Sequence, residues 1–166
     1  LNREAAAAAR QDVERQRARF SRLLRMTISM VSKLGLRDVF SAVSLCLRAM
    51  VPQEYASLIL CDGKNGRVRL HALDFPENQG ALTEGAVSDV AGSLAGLALE
   101  RRRPAVANNR LDLKAFSHAV PQLLVMKGFH SMCSLPLLSH DRVIGCLNLA
   151  SRQEQAFGEQ DVEFLS

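Results

Sequence analysis

The stretch "SLPLLSHDRVIGCLNLAS", residues 134–151, decides the fold, because two apolar runs flank a short polar break that contains His140 and Asp141. With those two as the central residues of a tight turn, Leu138 faces Val143, Leu135 faces Cys146 and Cys133 faces Asn148. Strand alternation then sets Cys133, Leu135, Leu137, Ile144, Cys146 and Asn148 on one face. Ser134, Pro136, Leu138, Val143, Gly145, Leu147 and Leu149 take the other. Both faces are mainly apolar, so the hairpin is predicted to lie centrally in a sheet with protein above and below. His and Asp are common at turns for conformational reasons, and a turn tip is remote from a covered cavity, so no chemistry is assigned to this pair. Pro136 cannot donate to a ladder, which predicts a partly unpaired outer side beside a short strand at "AVAN", residues 105–108.

Working outward, "YASLILCD" (residues 55–62) is an apolar strand and "DGKNG" a turn. "RVRLHALD" (67–74) alternates, with Val68, Leu70 and Ala72 on one side and Arg67, Arg69 and His71 on the other. That pattern predicts an edge strand with one wet face. Residues 75–90 read as a loop or long excursion with weak strand content, and "AGSLAGLALERRR" (91–103) as a short helix stopped by Pro104. Residues 108–128 are irregular, with helical turns expected at Lys114–His118 and from Gln122 to Lys127. Before the first strand, "LRDVFSAVSLCLRAM" places Leu36, Val39, Phe40, Val43, Leu47 and Met50 on the face of a sheet-packed helix, which Pro52 ends.

Residues 1–34 have a different character. From Arg3 to about Lys33 there is no Gly or Pro, and Val13, Phe20, Leu24 and Val31 form a thin apolar stripe. A helix of about 30 residues would span roughly 45 Å, longer than a small domain, and its stripe suits pairing with a second copy, as in a coiled coil. The expectation is a homodimer through an N-terminal signalling helix, 1–34, followed by one domain, 35–166.

Composition limits the function classes. The 166 residues are 48% apolar, enough for one ordinary core. No run of about 18 apolar residues occurs, so no membrane-spanning helix is expected. The charged opening is unlike a secretory signal, giving an expectation of cytoplasmic location. The chain begins without Met and stops mid-pattern at "DVEFLS", as a piece of a longer protein would. The net charge of +4 is concentrated in residues 1–37, where nine Lys or Arg meet three acidic residues, and the remainder is slightly acidic. A solvated helix face explains this better than direct nucleic-acid binding. Cys46, Cys61, Cys133 and Cys146 lack C-x-x-C spacing and sit in apolar runs, where free thiols behave as small buried hydrophobes.

The segments "AGSLAGLAL", "SMCSLPL", "RVIGCLNLAS" and "AFGEQDVEFL", in this order and spacing, resemble a GAF domain over about residues 36–166. Within that family "LPLLSHDRVIGCLNLA" is most similar to the sensory domains of formate-hydrogenlyase-activator-type transcription regulators. The resemblance implies an α+β, PAS-like fold: a central antiparallel sheet with strand order near 2-1-5-4-3, helices on one face, and a loop-rich roof over a ligand cavity on the other. It implies a small-molecule-sensing regulatory module whose ligand biases a helix-linked output. A ligand-free dimerisation or docking module is the alternative.

Departures from the family narrow the chemistry. Ser151 and Arg152 stand where cyclic-nucleotide-binding members have Asn-Lys, and Val162 follows Asp161 where they have Glu, so Phe157 and Asp161 are read as packing and capping the last helix. No Cys-His pair occurs for covalent bilin attachment. Asp112, His118, His130 and Cys133 are too scattered for an iron cluster of the kind some relatives carry. "AGSLAG" lacks the ending of a phosphate loop, and no enzyme constellation, metal or cofactor is expected. The candidate ligand contacts are Arg110, Asp112, His118 and His130 in the roof and Ser131 at the base of the adjoining strand, for an unidentified small molecule.

Overall fold

The computed structural model describes residues 35–63 and 65–165. The predicted N-terminal helix, and the homodimer built on it, lie outside the described residues. The chain divides into two units, residues 1–39 and 40–166. The elements in order are α1 (Leu36–Arg48), β1 (Tyr55–Cys61), β2 (Arg67–Asp74), β3 (Val87–Asp89), α2 (Leu94–Arg101), β4 (Ala105–Ala107), α3 (Arg110–Lys114), α4 (Ala119–Met126), β5 (Ser131–Ser139), β6 (Arg142–Ser151) and α5 (Glu159–Leu165).

All strands join one antiparallel sheet in the order β3-β2-β1-β6-β5-β4. Five of these strands reproduce the expected order, and the sixth corrects it. Val87–Asp89, inside the stretch read as an excursion, pairs with Arg67–Arg69, so β2 is not the outermost strand there. The β4 ladder runs only from Ser134 to Met132 and ends short of Pro136, as the missing proline N–H requires.

The β5–β6 hairpin turns at His140 and Asp141, both with positive φ (46° and 61°), the backbone of a tight primed turn. The predicted facing of Leu138 and Val143 is present, but the register slips between Leu138 and Leu137, so Leu137 faces Gly145 and Leu135 faces Leu147. Ile144 is the extra residue of this bulge. A slip of one residue reverses every side chain beyond it. Cys133, Leu135 and Leu149 therefore share one core with Phe40, Leu47 and Phe157, while Met132, Cys146 and Ala150 belong to the opposite core. This corrects the sequence reading, which groups Cys146 and Asn148 with Cys133. A second bulge opposite Leu58–Ile59 leaves His71 as the extra residue on β2 and puts Val68 and Leu70 in one core and Ala72 in the other.

The hairpin base is sandwiched as predicted, whereas its tip extends into solvent: Ser131–Leu135 and Gly145–Cys146 with Asn148–Ser151 are buried, but Leu138 and Ile144 are 52% and 44% exposed. Gly145 is required by its neighbours, since a Cβ there would lie 2.2 Å from the Ile59 carbonyl oxygen across the β1 ladder. On the helix face, Phe40 and Leu47 of α1 bury against the sheet, while Met50 is left exposed. Phe157 is buried there too, and Asp161 Oδ2 accepts from Gly158 N at 3.0 Å at the start of α5, giving both the packing and capping roles expected.

Candidate functional site

The opposite face of the sheet is closed by two irregular segments and short helices, each started by a local cap. Ser93 Oγ accepts from Gly96 N at 2.9 Å to begin α2, and Gly96 leaves room for the Val90 carbonyl, which a Cβ would approach to 2.3 Å. Asn109 caps α3 through Asp112 N at 2.9 Å, and His118 Nδ1 caps α4 by accepting from Val120 N at 3.2 Å. Pro121 fits in the first turn of α4, where its absent N–H has no intrahelical partner to lose. Helices α3 and α4 thus begin earlier than their sequence reading suggests, because caps rather than apolar spacing set their starts.

Between roof and sheet lies a cavity of about 330 Å³. Ile59, Val68, Leu70, Val90, Val120 and Met132 supply much of its apolar wall. Its floor carries a buried polar chain on β1, β5 and β6. Tyr55 donates its hydroxyl to Ser57 Oγ at 2.9 Å, Asn148 Nδ2 donates to the same oxygen at 3.2 Å, and Ser134 Oγ donates to Asn148 Oδ1 at 2.7 Å. Burial pushes the Tyr55 hydroxyl up to about 12, with the Ser57 hydrogen bond opposing it, so the group is neutral at physiological pH. Burial likewise pushes the Cys133 and Cys146 thiols up to about 12.

One end of the roof is fastened by aromatic and ionic contacts. Tyr55, Phe75 and Phe129 meet edge to face with centroids 5.4 to 6.5 Å apart. Arg152 lies 4.8 Å from the Phe129 centroid, pairs with Glu77 at 2.6 Å and donates to the Lys127 carbonyl at 2.7 Å. Arg152, at a position where nucleotide-binding relatives differ, therefore clasps the first roof segment to the end of α4.

Of the residues singled out from sequence, the structure brings His118 alone to the cavity wall. Its Nε2 lies 2.9 Å from the Asp89 carbonyl oxygen, so with Nδ1 accepting, the ring ties the end of β3 to the start of α4. Arg110 is exposed on α3, and the Asp112 carboxylate is held by Asn108 N and Asn109 Nδ2. His130 Nδ1 faces Glu154 at 3.5 Å, and Ser131, fully buried, donates to the Gln153 carbonyl at 2.7 Å. Tyr55, Ser57 and Asn148 are the lining residues the sequence reading omits, although polar residues inside doubly covered apolar strands were the available signal. Cys46 and Cys61 are exposed, correcting the expectation of four buried thiols; Cys61 is the last residue of β1, where the strand runs out of the covered region. Among the described residues no group of three or more His, Cys, Asp and Glu is placed to hold a metal ion, and no helix is long and apolar enough to cross a membrane.

A six-stranded antiparallel sheet backed by helices, with a chamber under a loop-rich roof, defines an α+β architecture of the PAS-like kind. The family model for the GAF domain matches residues 36–166, and the chain belongs to the GAF domain family, a common sensory and regulatory module of signalling proteins. No curated protein sequence gives a significant match. Among solved structures, the GAF domain from a phosphoenolpyruvate-protein phosphotransferase of Coxiella burnetii is 22% identical, with a TM-score of 0.65 over 87% of this chain and 84% of its own. The GAF domain of a two-component sensor histidine kinase from Bacillus halodurans is 21% identical, with a TM-score of 0.65 over 79% of this chain and 86% of its own. The free methionine-R-sulfoxide reductase of Neisseria meningitidis, in complex with its substrate, is 18% identical, with a TM-score of 0.65 over 90% of this chain and 83% of its own. At these identities the likeness establishes the fold alone.

Proposed function

We propose that this domain is a regulatory sensor, without catalysis of its own, which binds a small molecule between sheet and roof. The observation that carries this reading is the cavity of about 330 Å³ with an apolar wall and a convergent Tyr55–Ser57–Asn148 floor, the combination expected of a ligand site. A ligand-free docking module would have filled that space with side chains. A binding role is favoured over an enzymatic one because the one buried thiol on the chamber side of the sheet, Cys146, 3.4 Å from Asn148 Oδ1, is held protonated by burial, the reverse of an activated nucleophile. Ligand contact with both roof segments, which His118 joins, biases the roof by its differential affinity for the two arrangements.

The same proposal includes output through a paired N-terminal helix, a cytoplasmic setting and a place in a formate-hydrogenlyase-activator-like transcription regulator. These rest, in turn, on the stripe of Val13, Phe20, Leu24 and Val31, on the charged opening of the chain and on the residues of the last hairpin. Sedimentation with and without residues 1–30 tests the pairing; a dimer that survives the deletion refutes it. For the site, a metabolite panel read by thermal shift is expected to give hits that Val90→Phe, which adds a ring to the cavity wall, abolishes. Hits unaffected by Val90→Phe would place binding elsewhere.

A further inference from the structure

The charge and hydrogen-bond inventory of the chamber narrows what it can hold. Among the described residues no Lys, Arg, Asp or Glu lines it. Of its titratable lining groups, Tyr55 is neutral, and His118 has both ring nitrogens engaged by Val120 N and the Asp89 carbonyl. Ser93 is also committed, accepting from Gly96 N and donating to the Val90 carbonyl at 2.7 Å. The helix N-terminus at Ser93 and that at His118 are therefore capped from within, which leaves little of their positive end for an anion. An ionised group entering this space would lose its hydration without meeting an opposite charge.

The floor has a surplus of one kind. Ser57 Oγ accepts from both Tyr55 and Asn148, so its own hydroxyl hydrogen is uncommitted, and Asn148 uses one of its two amide hydrogens on Ser57. Asn148 Oδ1 already accepts from Ser134 and lies 3.4 Å from the Cys146 thiol. The uncommitted hydrogens at the floor belong to donors, and both donors are uncharged.

We infer that the chamber, on the ligand-site reading above, takes an uncharged and mainly apolar molecule anchored at one end through an accepting oxygen, such as a carbonyl, by Ser57 and Asn148. The apolar body lies against Ile59, Leu70, Val120 and Met132, and the oxygen meets the floor. Carboxylates, phosphates and ammonium ions are selected against by the missing countercharge.

The test uses the whole chain and four probes of similar or smaller size: xenon, acetophenone, benzoate and benzylamine, followed through the methyl resonances of Met132 and Ile59. Xenon and acetophenone are expected to shift both methyl groups saturably, with benzoate and benzylamine at least about tenfold weaker than acetophenone. Ser57→Ala is expected to weaken acetophenone by about three- to tenfold, the range of a neutral hydrogen bond, and to leave xenon unchanged. Exclusion of xenon would overturn the ligand-site reading itself. Entry of xenon together with exclusion of acetophenone, or with either ion binding as tightly as the ketone, would overturn the ligand class alone. If Ser57→Ala does not fold, the ranking of the probes on the unmodified chain decides.

Discussion

The two faces of the same sheet are closed in different ways. On one, Phe40 and Leu47 of α1 and Phe157 before α5 meet Cys133, Leu135 and Leu149 in a filled core. On the other, short helices and loops are held by caps, by the Arg152 clasp and by the His118 bridge, and they leave the cavity over a polar floor. The amphipathic α1, 13 residues long, brings enough side-chain volume to fill the space it covers, whereas a roof fastened at its ends spans that space. Stability and binding are therefore expected to separate by face.

The largest effect is expected from Leu149→Ala, which opens a new void in the packed face at a fully buried position and costs about 3 to 5 kcal/mol. Leu70→Ala, on the half-buried cavity wall, is expected to cost about half as much, because the space beside it is already open. Equal losses in urea melts would erase the contrast. Gly145→Val comes next. Its Cβ would press on the Ile59 carbonyl and Leu60, for a loss of about 1 to 3 kcal/mol, and an unchanged melting temperature would show that β1 and β6 yield more easily than their spacing implies.

The smallest effect concerns the buried thiols, one in each core. Their pKa values are raised from an ordinary 9 to about 12, so the stability of the neutral form is fully present below about pH 9 and is lost as pH climbs towards 12. Melts at about pH 8 and pH 10.5 are expected to show a smaller alkaline loss in Cys146→Ala than in the unmodified chain. Identical losses would mean that this thiol does not ionise on unfolding in that range.

The hairpin shows how much of the fold was legible and where legibility ended. The His140–Asp141 turn, the covered strand bases and the stop at Pro136 follow from local chemistry: turn conformations, alternation and a missing donor. The site was less legible because it depends on which face a residue takes beyond a bulge. With an unbroken ladder, Asn148 falls beside Cys133; with Ile144 extruded, it joins Ser57 and Ser134 under the roof. Arg110, Asp112, His130 and Ser131 carry suitable chemistry, but local hydrogen bonds and exposure place them away from the cavity.

By itself, the sequence determined the core strands and their turns, because periodicity and turn formers act over neighbouring residues, and its resemblance to the GAF family implied the order in which five of the strands lie. The tertiary structure alone decided the added edge strand, the two bulges and the polar floor of the chamber. A bulge is chosen by packing from distant segments, and a one-residue slip, silent in composition, turns a side chain from one core to the other.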